Sequence, residues 1–129
     1  MPIINVKISG QVNKNKRDEI IELILNKTEN ILQKKRELCA ICLQFIDKEN
    51  WSIGGFNLVE TEKNSFYLNI KITDETNLKT QKAQYINELY DGFAKIMGNI
   101  DEKSYIHVED VRAAAYGFGG KTQEYRFHN

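Results

Sequence analysis

The chain has 129 residues, 41% hydrophobic and 28% charged, a length and balance that fit one globular domain (1–129) and exclude a disordered chain. Eighteen Lys and Arg against eighteen Asp and Glu give a formal net charge of zero, so the basic excess expected of a nucleic-acid binder is missing. No apolar run approaches the roughly 20 residues of a membrane span, and no basic-then-apolar signal opens the chain. A cytoplasmic protein with neither membrane nor nucleic-acid partners is therefore expected.

The first run, residues 3–8, is β-branched and alternates. Ile4, Val6 and Ile8 share one face, Asn5 and Lys7 the other. A helix is expected over about residues 14–35, because Ile20, Leu23, Ile24, Thr28, Ile31 and Leu32 follow a 3.6-residue period. Residues 38–46 read as a buried strand, and NWSIGG (50–55) as a turn or hairpin. Residues 66–73 read as the third strand, with Phe66, Leu68, Ile70 and Ile72 on one face. A second amphipathic helix is expected over 78–97, with Tyr85, Leu89, Phe93 and Ile96 or Met97 in line and Gly98 as its C-cap. Residues 105–111 read as the fourth strand. The tail, 122–129, is expected to offer an edge strand to a neighbour.

In order this is β-α-β followed by β-α-β, and the halves resemble each other. INVKIS (4–9) matches LNIKIT (68–73), and WSIGG (51–55) matches YGFGG (116–120), as an internal duplication with pseudo-repeats of about 1–64 and 65–129 would give. The expected fold is α+β: a four-stranded sheet with both helices on one face. Apolar side chains on the other face would need cover from further subunits.

Several motifs fail on their chemistry. CAIC (39–42) has the CxxC spacing, but residues three apart on a strand point to opposite faces. A redox pair needs its sulfurs together, and zinc needs two more ligands. Ordinary core cysteines are expected. GFGGKT (117–122) lacks the first glycine of a phosphate loop, Ala115 standing there, and lacks the following long helix. No G-x-S-x-G elbow is present. Neither a metal nor a cofactor is expected.

Pro2 is the only proline and directly follows the initiator methionine. Removal of Met1 would leave a terminal secondary amine. A free α-amino group has a reference pKa of roughly 7.7–8.0, and apolar burial or nearby cations lower it. Such a group is poised to move protons at neutral pH. The structural alternative is that a proline at a strand start costs no ladder hydrogen bond.

The start PIINVKI, the NWSIGG turn and the double β-α-β length resemble 4-oxalocrotonate tautomerase. The end, SYIHVEDVRAAAYGFGGKT, resembles macrophage migration inhibitory factor and its tautomerase relatives. The likeness covers nearly the whole chain and is specific at Pro2, the two GG turns and the AAAYGFGG tail. It implies a cofactor-independent tautomerase, a homotrimer in the long form of the superfamily. Pro2 would be the general base for keto–enol transfer on a small 2-oxo or enol acid, in a pocket between subunits. By the same resemblance, Tyr105 and His107 fall at pocket positions on the fourth strand. Arg36 or Lys35 falls near a pocket lysine, and Lys71 is a further cation candidate. Phe118, with Tyr105 and Trp51, would suit an aromatic substrate. The pocket arginines of 4-oxalocrotonate tautomerase fall near Val12 and Ala40, so a dicarboxylate substrate is not implied. The second-half counterpart of Pro2 is Phe66, which leaves one proline site per chain. Two alternatives remain: hydratase, dehalogenase or decarboxylase chemistry by the protonated amine, and a non-catalytic trimeric binding protein of the same fold.

Overall fold

A computed structural model describes residues 2–128, with no account of the side chain of His128. Four long strands form one mixed sheet: β1 (Ile3–Ser9), β2 (Ala40–Ile46), β5 (Phe66–Thr73) and β6 (Tyr105–Val111), in the order β2-β1-β5-β6. The outer pairs are parallel and the central pair, β1 with β5, is antiparallel. Parallel neighbours need a crossover, and helices α1 (Lys14–Asn30) and α3 (Lys79–Met97) supply the two. Both helices pack on the same sheet face. Their buried residues Ile20, Ile24, Tyr85, Leu89 and Phe93 meet Ile4, Val6, Ile8, Leu68, Ile70 and Ile72. Phe66 stacks on Phe93 at 3.9 Å between ring centroids, with the planes 9° apart.

Each repeat ends in a small hairpin and a short helix. In the first half these are β3 (Ser52–Ile53), β4 (Phe56–Asn57) and α2 (Leu58–Thr61). In the second they are β7 (Gly117–Phe118), β8 (Lys121–Thr122) and α4 (Gln123–His128). The starts of the two sets lie 65 residues apart, as do β2 and β6. The glycines at each tip, Gly54 and Gly55, Gly119 and Gly120, all have positive φ, the conformation that tight turns demand. The tail is thus a hairpin strand followed by a helix, not an added edge strand; Asn129 lies outside the described residues.

Two further expectations are corrected. Helix α1 stops at Asn30, because the chain enters the left-handed region at Gln33 (φ 58°) and Lys34 N–H turns back onto the Thr28 carbonyl at 3.3 Å. The open sheet face is not apolar either. Asn5, Lys7, Cys42, Gln44, Tyr67, Asn69, Lys71, Tyr105, His107 and Glu109 alternate onto it, so hydrophobic burial alone does not demand that it be covered.

Under the helices, the Tyr85 hydroxyl pairs with Thr28 Oγ1 at 2.8 Å. Burial pushes the Tyr85 phenol well above its ordinary range, opposed by that hydrogen bond, so it remains neutral. Tyr85→Phe should destabilise the fold by about 1–2 kcal/mol, since it strands the Thr28 hydroxyl. Urea unfolding would measure this, and an unchanged midpoint would refute it.

Candidate functional site

Pro2 is buried at the head of β1. Its carbonyl accepts from Ala40 N–H at 3.2 Å, so strand pairing continues to residue 2 while the proline nitrogen owes the ladder nothing. The antiparallel register sets Ile3 opposite Lys71. It also swings the second-half hairpin back over the start of β1. These pieces enclose a cleft of about 400 Å³. Pro2 and Ile3 line one side, and the segment from Glu37 to Ala40 a second. Lys71 stands on β5, and Tyr116, Gly117, Phe118 and Gln123 close it from the hairpin and α4.

The hairpin wall is held firmly. Tyr116 OH pairs with Thr73 Oγ1 at 2.5 Å, and burial raises the phenol above its ordinary range. Arg126 lies over the Phe118 ring, 3.8 Å from its centroid, and donates to the Phe118 carbonyl at 3.0 Å. A Cβ on Gly117 would sit 1.9 Å from the Lys121 carbonyl oxygen, so only glycine permits this close hairpin.

Lys71 is the cation of the cleft. Its Nζ donates to Asn69 Oδ1 at 3.0 Å and lies 3.7 Å from Glu109 Oε1. Asn69 Nδ2 in turn reaches Glu109 Oε1 and His107 Nδ1, each at 3.2 Å. This network lines a second hollow of about 490 Å³ on the open sheet face, shared with Asn5, Lys7 and Tyr67.

The structure therefore brings Pro2, Lys71 and Phe118 together. It sets the other sequence candidates elsewhere within one protomer. Tyr105 is 66% exposed at the far end of the open face, opposite Tyr67. His107 belongs to the Asn69 network. Arg36 forms an ion pair with Glu22 of α1 and does not line the cleft. Lys35 lines a separate hollow of about 800 Å³ beyond Leu38, with Lys34, Thr73 and Arg126. Burial lowers the Lys34 amine below its ordinary range, with Asp110 pulling the other way. Ala40, at a position where the resembled family has an arginine, lies in the cleft wall; Val12 lies on the surface. Sequence reasoning missed Gln123, Tyr116 and Cys39 as cleft residues.

The cysteines are free, and they are not core residues. Cys42 is exposed on the open face, whereas Cys39 is partly buried beside Pro2 and donates from Sγ to the Lys35 carbonyl at 3.3 Å. Among the described residues no group of three His, Cys, Asp or Glu is placed to hold a metal, and no helix is long and apolar enough to cross a membrane.

No family model matches the chain, and no curated protein sequence does. Solved structures do match, over nearly the whole length. A fused 4-OT, solved as an asymmetric trimer, superposes with a TM-score of 0.83 at 15% identity, covering 96% of this chain and 98% of that one. The fold is that of the tautomerase superfamily. A macrophage migration inhibitory factor-like protein from Entamoeba histolytica gives a TM-score of 0.76 at 15% identity, covering 94% of this chain and 97% of that one. FG41 malonate semialdehyde decarboxylase, inhibited by 3-bromopropiolate, gives 0.74 at 13% identity, covering 98% and 95%. The shared fold covers 94–98% of this chain in these three superpositions.

Burial beside Pro2 raises the Cys39 thiol above its ordinary range. Less of it is thiolate at any given pH, and the thiolate is the reacting form. In a Cys42→Ser background, iodoacetamide should label Cys39 more slowly at pH 8 than it labels free cysteine, with the pH profile displaced upward. Labelling at the free-thiol rate would contradict this.

Proposed function

We propose that this protein is a cofactor-independent tautomerase. Pro2, made terminal by removal of Met1, is its general base for keto–enol proton transfer on a small 2-oxo or enol acid. The observation that carries the reading is the cleft itself: a buried Pro2 faces an apolar hollow that contains one cation, Lys71. The duplicated position in the other half, Phe66, is filled by stacking on Phe93. A terminal secondary amine in such surroundings is biased toward its uncharged form, because burial penalises the ammonium and Lys71 adds like-charge repulsion. In the enol-to-keto direction the amine takes the enol hydroxyl proton and delivers it to the adjacent carbon as the carbonyl forms; the reverse reaction moves the proton back to the oxygen. Lys71 receives the carboxylate, and Phe118 and Leu38 pack against the organic tail.

The assembly that suits this reading is a homotrimer, supported by the trimeric fused 4-OT of the same fold. In it the open, polar sheet face would meet neighbouring subunits, and Tyr105 and His107 of one protomer would approach the Pro2 cleft of the next. A cytoplasmic location accords with this chemistry. The protonated amine as an acid in hydration, dehalogenation or decarboxylation is a weaker fit, since the one cleft cation already shares its charge with Glu109.

Intact-mass measurement should show loss of Met1. Turnover of phenylenolpyruvate should fall at least about 100-fold in Pro2→Ala, the scale of a lost general base. In the wild type, kcat/KM should drop as pH falls through an apparent pKa of ~6–8, because protonating the amine removes the base. Retained Met1, or equal rates in both proteins, would favour a non-catalytic binding protein instead.

A further inference from the structure

The duplication supplies an internal control for the cleft. Leu58 and Gln123 occupy equivalent places, each opening the short helix after its hairpin. Each backbone N–H donates to the aromatic residue seven positions earlier: Leu58 to the Trp51 carbonyl at 3.0 Å, Gln123 to the Tyr116 carbonyl at 2.9 Å. The local fold is the same, so it does not explain the change of side chain. Leu58 is fully buried and apolar, as a packing position should be. Gln123 is 7% exposed; its side-chain amide has no hydrogen-bond partner among the described residues, but its polar atoms are not sealed from solvent, the only such sealed and unpaired atom among those residues being Asn77 Oδ1. It lines the Pro2 cleft and, with Leu38, also borders the neighbouring hollow that holds Lys34 and Lys35.

The other side-chain donors of the cleft are committed. Tyr116 is paired with Thr73, and Cys39 with the Lys35 carbonyl. Lys71 is bonded to Asn69 and lies beside Glu109. Glu37 offers only acceptors when ionised. A carboxylate entering the cleft therefore finds one shared cation and one unspent two-hydrogen donor.

We propose that Gln123 is a substrate-binding residue whose side-chain amide donates to the carboxylate of a 2-oxo monocarboxylic acid bound beside Pro2. The inference rests on the reading of the cleft as a substrate site, but it concerns binding and not proton transfer. The polar residue lines the Pro2 cleft, and its apolar counterpart, Leu58, is fully buried.

The test uses the full chain and phenylpyruvate as probe. In calorimetric titrations Gln123→Leu should bind it about 10- to 100-fold more weakly, the range for a hydrogen bond to a charged group. Gln123→Glu should bind more weakly still, having traded donors for a like charge. Thermal unfolding of Gln123→Leu should match or exceed that of the wild type, since Leu58 shows that the position accepts leucine. In turnover, KM should rise while kcat stays within about threefold. Should either variant fail to fold, the wild type answers directly: the Gln123 side-chain amide resonance should shift on adding phenylpyruvate. Wild-type affinity in a folded Gln123→Leu, an unmoved amide resonance, or no binding by the wild type would overturn the assignment. Unchanged turnover in Pro2→Ala, with binding still dependent on Gln123, would refute the base and leave this assignment standing.

Discussion

The antiparallel register between β1 and β5 is the constraint on which the rest depends. It places Ile4 against Ile70 and Val6 against Leu68, so both central strands turn their apolar sets toward the helices. A slip of one residue would reverse every side chain on the shifted strand. The same pairing fixes Ile3 across from Lys71, and so decides which cation faces residue 2. Because the strands run in opposite directions, the end of β6 and its hairpin arrive at the start of β1. The cleft is a by-product of how the two repeats are joined.

The joining also breaks the symmetry it creates. From α1 onward the shared backbone elements start 65 residues apart, down to the paired hydrogen bonds that start α2 and α4. Side chains diverge where the two ends differ chemically. Pro2 answers to Phe66, Ile53 to Phe118, and Leu58 to Gln123. In the first member of the last pair the position is ordinary packing, and in the second an amide faces a hollow.

Much of this was readable beforehand. The strand at 66–73 follows from the alternation of Phe66, Leu68, Ile70 and Ile72, and the helix at 79–97 from Tyr85, Leu89, Phe93 and Met97 at four-residue spacing. Pro2 and Lys71 were legible because chain position and strand parity place them. The polarity of the open sheet face was misjudged, although Asn5, Lys7, Tyr67, Asn69, Lys71, Tyr105, His107 and Glu109 fall on it by parity alone. The early stop of α1 depends on a left-handed residue at Gln33, which a glutamine does not announce. Arg36 falls near a pocket lysine only by resemblance; its partner Glu22 comes from α1, and no spacing rule reveals that contact. Helix α4 has six residues, too few for a period to show, so Gln123 could be found only by aligning the halves and asking why leucine had become glutamine.

Residues beside a chain end usually fray, and fixing them on ligand arrival would subtract from affinity. The Ala40-to-Pro2 hydrogen bond removes that loss in advance, because residue 2 is already immobilised as a member of the sheet when the domain folds. A reactive group carried there is as rigid as the core strands behind it, and its aim is set by secondary structure instead of by encounter with a substrate.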